Sequence, residues 1–427
     1  MHITVRRWRV VCFAFAMFMS AAVSAQDMAG QWQGTISSGA QDLRVVVRIA
    51  KTEAGAWTGT LYRIDEFSRP FPLTAVAVQN GTFTFSSSQG TYEGRMNPDA
   101  TAITGTLNDG RTFPLELHRA TAATAWPLDV SPHTVRFVPV DKDVTLEVLD
   151  WGGSGRPLVL LAGLGDNAHV FDLFAPKLTA SYHVFGITRR GFGASSTPPT
   201  GYSADRLGDD VLAVVDALKL RRPVLAGHSI AGGELSSIGS RHPELVAGLI
   251  YLDAAYGWAF YDDAQGDFDV DTNALRARLD GLPTSGYSPA AMHEVLDTYL
   301  PKLERDLREE LKNQDAMSPA MRASQYAPIV GTAAAVLAGT QKFTRIPVPV
   351  LAIYAVPHDL LGPPMTDAER ATYEARDLLT TGAQADAFAA GVPGARVVRL
   401  RRARHYVFRS NEADVLREMN AFIATLP

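Results

Sequence analysis

Apolar residues recur along the chain in two different rhythms, and the rhythm changes near residue 125. Between residues 30 and 119, Val, Ile, Leu and aromatic residues alternate with Thr, Gly and charged residues in short runs. That period of two marks strands with one buried face. The candidate strands are Trp32–Ile36, Leu43–Ile49, Trp57–Ile64, Leu73–Val78, Thr82–Phe85, Thr91–Met96, Ile103–Leu107 and Phe113–His118. Asn80-Gly81 and Asp109-Gly110 supply the backbone freedom that tight hairpins need. Eight short strands joined by turns predict an all-β antiparallel barrel or sandwich over residues 27–120. Residues 121–132 are rich in Ala, Thr and Pro, carry no period, and read as a linker.

From residue 133 onward the apolar runs are short and unbroken rather than alternating. Val135–Val140 and Val144–Leu149 form a strand pair. Leu158–Leu161, Tyr182–Gly186, Val224–Ala226, Gly248–Leu252, Val350–Tyr354 and Arg396–Leu400 follow as strands, with amphipathic segments such as Ala204–Leu218 and Ala413–Ala424 between most of them. Buried strands alternating with helices predict an α/β domain over residues 133–427, a mostly parallel doubly wound sheet covered on both faces. Residues 254–345 separate two of these strands. In them Met292, Val295, Leu296, Tyr299, Leu300, Leu303, Leu307 and Leu311 step by three and four, which predicts a helical cap.

Composition narrows the class. The chain has 427 residues, 46% of them hydrophobic, which is room for two domains with a core each. Gly and Pro are at ordinary levels and no repeat recurs, so disorder, collagen and coiled coil are excluded. Cys12 is the only cysteine, which excludes a disulfide framework, a CxxC redox site and a cysteine nucleophile. Arg6, Arg7 and Arg9, the apolar Val10–Met19 and the small residues Val23-Ser24-Ala25 read as a secretory signal peptide over residues 1–25. A periplasmic or secreted mature protein is therefore expected. The net charge is −5 and no basic stripe lies beyond the leader, so nucleic acid is not an expected partner. No later run is apolar and long enough to span a membrane.

The most informative stretch is Pro223-Val-Leu-Ala-Gly227-His228-Ser229-Ile230-Ala231-Gly232-Gly233, an apolar strand running through small residues into a helix. A serine on such a turn takes a strained backbone angle, so the residues two before and two after it must be small. Here they are Gly227 and Ala231, making the motif G-x-S-x-A. The stretch resembles the nucleophile turn of the α/β-hydrolase superfamily. The loop Ala162-Gly163-Leu164-Gly165 resembles that superfamily's His-Gly-x-Gly loop, with Ala162 where a buttressing His usually stands. Arg190-Gly191-Phe192-Gly193-Ala194-Ser195 resembles its Arg-Gly-x-Gly-x-Ser turn and reads as structural. Gly30-Gln31-Trp32-Gln33-Gly34 and Tyr92-Glu93-Gly94 resemble small β-barrel domains that precede some exported bacterial hydrolases, where the barrel is either a rigid appendage or a holder of an apolar or sugar ligand.

The resemblance implies a serine hydrolase that works through a Ser-His-Asp triad and an acyl-enzyme, most simply on carboxylic esters. Ser229 is the implied nucleophile. Of His242, His293, His358 and His405, only His405 falls between the last strand and the C-terminal helix, where the base is expected. Two acids compete. Asp359 follows the strand Val350–Tyr354 and Asp253 ends the strand before it; the superfamily's strand order favours Asp359. The backbone N–H groups of Ile230 and Leu164 are the implied oxyanion donors. Tyr256 and Trp258 either line an apolar acyl pocket or anchor the cap. Asp262, Asp263, Asp267, Asp269 and Asp271 lack the Gly and closing Glu of a calcium loop and read as a solvated run. No metal or cofactor is called for, since the histidines follow no ligand spacing. The expected partner is a small-molecule acyl substrate. An aminopeptidase-type peptidase, an acyltransferase or a C–C hydrolase would use the same triad, and a non-catalytic binding protein is the remaining class.

Overall fold

The computed structural model describes residues 28–37, 42–64, 70–79, 81–109, 112–128, 131–282, 288–315, 329–359 and 366–427. The expected signal peptide lies outside them. The first nine strands are β1 (Gly30–Ser37), β2 (Asp42–Lys51), β3 (Trp57–Arg63), β4 (Phe71–Pro72), β5 (Ala75–Gln79), β6 (Thr82–Ser87), β7 (Gly90–Met96), β8 (Ala102–Asn108) and β9 (Thr112–Arg119). They form one curled antiparallel sheet in the order β4-β3-β2-β1-β9-β8-β7-β6-β5. The eight expected strands are all there, and the ninth is the two-residue β4. Alternation puts Trp32, Val45, Val47, Leu61, Phe83, Phe85, Tyr92, Ile103, Leu107, Leu115 and Leu117 inside. The interior is filled by these side chains. The phenol of Tyr92 donates to the carbonyls of Ile103 and Leu115, both at 3.2 Å, so its buried hydroxyl is satisfied.

The second sheet holds β10 (Thr134–Asp141), β11 (Val144–Gly152), β12 (Arg156–Leu161), β13 (Tyr182–Ile187), β14 (Val224–His228), β15 (Gly248–Leu252), β16 (Val350–Ala355) and β17 (Arg396–Leu400). Its order is β10-β11-β13-β12-β14-β15-β16-β17. β10, β11 and β13 pair antiparallel; from β13 to β17 every pairing is parallel. Parallel strands buried on both faces must be apolar throughout, and β14, β15 and β16 are buried at every position. Helices α1 (Ala204–Ala217) and α2 (Ala231–Arg241) share a core with one face of the sheet. The C-terminal helix Glu412–Ile423 covers the other face.

Between β15 and β16 lie α3 (Phe268–Asp280), the helical stretch Pro289–Asp315 and the short helix Gly331–Leu337. The apolar periodicity does form helix there. Its stripe is not buried among the described residues, however: Met292, Leu296, Leu300, Leu307 and Leu311 are exposed. Among the described residues, no helix is long and apolar enough to cross a membrane.

Candidate active site

Strand β14 ends at His228 and helix α2 begins at Ala231, so Ser229 and Ile230 make the whole turn between them. Ser229 has φ +54°, the left-handed region that an L-residue enters at a cost. The small neighbours are needed because the turn closes on itself. A Cβ on Gly227 would lie 3.0 Å from the Cβ of Ala231. The turn leaves Ser229 half-buried while the residues on both sides of it are buried.

The loop after β12 closes over this turn. A Cβ on Gly163 would lie 2.7 Å from His228 Nδ1 and 3.3 Å from Ser229 Cβ, so only glycine lets the loop come this near. Among the described residues neither Leu164 N–H nor Ile230 N–H has a backbone acceptor. The loop keeps its shape without the usual histidine because Arg189 grips it. The buried guanidinium donates to Ala162 O at 2.8 Å and Gly163 O at 3.2 Å, and pairs with Glu234 on α2. Gly163 O and Leu164 N–H belong to one planar trans peptide and point opposite ways. Holding the carbonyl on Arg189 therefore turns the Leu164 N–H away from it. Burial raises the Glu234 carboxyl, and the Arg189 charge opposes that rise.

His405 sits in the loop after β17, as expected, but its partner is not Asp359. His405 Nδ1 lies 2.7 Å from Asp253 Oδ2. Asp359 instead faces Arg404 Nε at 3.5 Å, with its N–H on Ala403 O. The correction has a local cause. Asp253 ends β15 with φ +49° and is fully buried at the sheet's carboxyl edge, where its Oδ1 accepts from Ala355 N at 2.8 Å. One residue before Asp359, His358 turns inward and shares the same carboxylate oxygen, with Nε2 3.0 Å from Asp253 Oδ2. Burial alone would raise the Asp253 carboxyl, yet the hydrogen bonds from His358 and His405 hold it well below the usual carboxylate range.

His228, the variable residue of the G-x-S-x-A turn, joins the two loops. Its Nε2 donates to His405 O at 3.1 Å, and the two rings stand 4.6 Å apart. Burial and the nearby His405 push His228 well below the ordinary range, so it stays neutral. This contact ties the loop that carries His405 to the residue that precedes Ser229. Ser229 Oγ makes no hydrogen bond among the described residues; in such sites that bond commonly tightens only around substrate.

Leu164, Ile230 and Trp258 pack with Phe192, Tyr202 and the cap's Val336 in one apolar cluster, so Trp258 lies in the same cluster as the two residues expected to supply oxyanion donors. The Tyr256 ring lies tilted against that of Trp258, 5.0 Å between centres, and its hydroxyl reaches His358 Nε2 at 3.3 Å. Arg190 is structural, forked onto Asp210 at 2.5 and 2.6 Å. Two groups bring metal-type donor atoms together, Asp253/His358/His405 and His133/His169/Asp172. In both, ring nitrogens and carboxylate oxygens stand at 2.7–3.2 Å, and Ser131 and Trp151 also donate to Asp172. These are proton-sharing contacts. Sequence reasoning missed Arg189, Glu234, the contact of His358 with Asp253, and Asp377, whose Oδ2 lies 2.8 Å from His358 Nδ1. None stands in a motif, and each is recognisable only by what it touches.

A strained serine between strand and helix, an imidazole on a buried acid and an amide on a clamped loop all follow strands at the carboxyl edge of the parallel sheet. The chain belongs to the Alpha/beta hydrolase family, which residues 158–418 match. It is 34% identical over 112 residues to a putative non-heme haloperoxidase of Mycobacterium phage D29, covering 26% of this chain and 40% of that protein. It is 36% identical over 121 residues to the AB hydrolase superfamily protein YisY of Bacillus subtilis, covering 28% of this chain and 45% of that one. The chain thus spans less than half the length of these curated relatives. Among solved structures, the crystal structure of E-2-(acetamidomethylene)succinate hydrolase aligns with 69% of this chain and 100% of its own, at 20% identity and a TM-score of 0.39.

Proposed function

We propose that the protein is an exported serine hydrolase that cleaves carboxylic esters through Ser229, His405 and Asp253. The observation that carries this reading is the 2.7 Å contact between His405 Nδ1 and the buried Asp253, taken with a serine held at φ +54° next to His228, whose ring stands 4.6 Å from that of His405. A serine hydroxyl is a weak nucleophile near neutrality and needs a base that is itself oriented. Asp253 fixes the His405 tautomer that leaves Nε2 free to accept. Ser229 Oγ attacks the acyl carbonyl as its proton passes to Nε2. The N–H groups of Ile230 and Leu164 receive the oxyanion, each such donor contributing about 2.7–4 kcal/mol in comparable sites. Imidazolium then protonates the leaving alcohol, and the Ser229 acyl ester remains. Water, deprotonated by the same nitrogen, releases the acid and restores Ser229. The apolar cluster of Leu164, Ile230 and Trp258 supports an acyl group with a hydrocarbon chain.

A fluorophosphonate probe should label the protein, and Ser229→Ala should abolish labelling. p-Nitrophenyl esters of graded chain length, assayed beside aminoacyl anilides, test the substrate class. A preference for the anilides would replace the esterase with a peptidase. Recovery of a mature form beginning at Gln26 from outside the cytoplasm tests export.

A further inference from the structure

The acid of this site serves two imidazoles. His405 and His358 both approach Oδ2 of Asp253, at 2.7 and 3.0 Å. The far side of His358 is equally occupied. Its Nδ1 lies 2.8 Å from Asp377 Oδ2, on the helix Asp367–Gly391, and its backbone N–H donates to the same oxygen at 2.6 Å. Thr381 Oγ1 donates to the other oxygen of Asp377 at 2.7 Å. An imidazole with a carboxylate oxygen against each nitrogen has a proton to give on both sides only as the cation. The neighbours agree. Tyr256, after β15, turns its hydroxyl toward Nε2, and Tyr373, on the Asp377 helix, lies in the field of both carboxylates. On the third side stands the His405 ring, 6.4 Å away, backed by neutral His228. Arg404 is taken by Asp359.

We infer that His358 is a positioning residue: an imidazolium locked between Asp253 and Asp377 that offsets the buried charge of Asp253 and so sets the pH range in which His405 acts as a base. Burial would lower the His358 ring, but the two carboxylates push it up to about 10. The physical reason for such a device is the burial of Asp253. A lone carboxylate there would bind the proton on His405 tightly and hold the base in its spent form toward neutral pH. With one cation already on Asp253, proton capture by His405 is weaker. The proton that His405 takes from Ser229 is then easier to pass on. The resting cluster of Asp253, His358 and Asp377 carries one net negative charge, which the transient His405 cation cancels.

The inference rests on the serine-hydrolase reading, and the test separates the two. The rate of fluorophosphonate labelling is followed from pH 5 to 9 in the full chain and in His358→Gln, whose amide can still donate to Asp253 but carries no charge. The acidic limb should move up by about one pH unit in the variant, with labelling recovered at alkaline pH. A lower rate at every pH with the limb unmoved would reduce His358 to a packing role and overturn the inference. No labelling of the unsubstituted chain would overturn the serine-hydrolase reading instead. Should His358→Gln not fold, ring ¹⁵N shifts in the unsubstituted chain decide. Both His358 nitrogens should stay protonated through pH 8, and loss of a ring proton below pH 7.5 would overturn the inference.

Discussion

Leu164 N–H points wherever its peptide plane is held, and Arg189 holds that plane through Gly163 O. Removing the guanidinium frees the plane to rotate, so the loss should fall on transition-state binding rather than on substrate affinity. Arg189→Met alone would also strand Glu234, a buried carboxylate, at a cost of roughly 3–5 kcal/mol. The informative variant is therefore Arg189→Met with Glu234→Gln. It should keep the fold while kcat drops by about 10²-fold with KM nearly unchanged. An equal loss in kcat/KM carried entirely by KM would show that the loop is held by something else. The two candidate acids give a second prediction at this scale. Asp253→Asn presents the wrong tautomer to His405 and should cost about 10⁴-fold in kcat. Asp359→Asn touches only an exposed arginine pair and should leave kcat as it is. The strained turn at Ser229 and the place of His405 after the last strand could be read from sequence, because such a turn demands small neighbours. The carboxylate that meets His405 could not. Asp253 and Asp359 follow adjacent strands, and the choice turns on which way His358 faces, a matter of side-chain direction that spacing does not encode.

Elements show the same division between local and non-local information. Every strand of the second sheet was readable, β14, β15 and β16 most directly, because a parallel strand buried on both faces is a short apolar run whatever its partners. β4 was not, since Phe71–Pro72 is too short to show a period and exists only by pairing with β3. In the cap the period gave helices, but a stripe of leucines does not say what it faces. The acidic run after β15 likewise had a second part to play. Asp267 caps α3, accepting from Val270 N at 3.0 Å, and burial, reinforced by Asp269, Asp306 and Asp271, pushes it up to about 7. Asp306 is pushed up to about 6, chiefly by burial. An acid whose folded value lies above its unfolded one makes the folded state hold the extra proton. Stability then falls as pH rises between the unfolded value, about 4, and the folded one near 7. Asn caps a helix as well as Asp and keeps the site neutral at every pH. Asp267→Asn should therefore lose less Tm than the unsubstituted chain between pH 5 and 8, by at least about 2 °C. Parallel Tm curves would remove Asp267 from the account.

Across the whole molecule, the change of rhythm near residue 125 marks a real change of core. Trp32, Phe83, Phe85 and Tyr92 pack inside the first sheet, and among the described residues no strand pairing joins it to the second. The segment read as a linker is tied down at both ends. Gln33 accepts from Trp126 N at 2.9 Å and donates to Thr124 O at 2.8 Å, which fastens its start to β1. Ser131 donates to Asp172 at 2.6 Å and accepts from Trp151 Nε1 at 2.8 Å, which fastens its end to the hydrolase sheet. A sequence with no period showed where the chain is not strand or helix, but such polar anchors leave no periodic trace. They also say where the chain can be cut. A protein beginning at Ser131 keeps the Asp172 and Trp151 contacts and gives up those that Gln33 makes with Thr124 and Trp126. It should unfold cooperatively and react with fluorophosphonate at the rate of the longer chain, because Ser229, His405, Asp253 and Arg189 all follow residue 131. If labelling slows while the fold survives, the first sheet contributes to the site, and its role as a rigid appendage is ruled out. If labelling is unchanged but hydrolysis of long-chain esters falls, the β domain helps to deliver substrate to a site that is chemically complete without it.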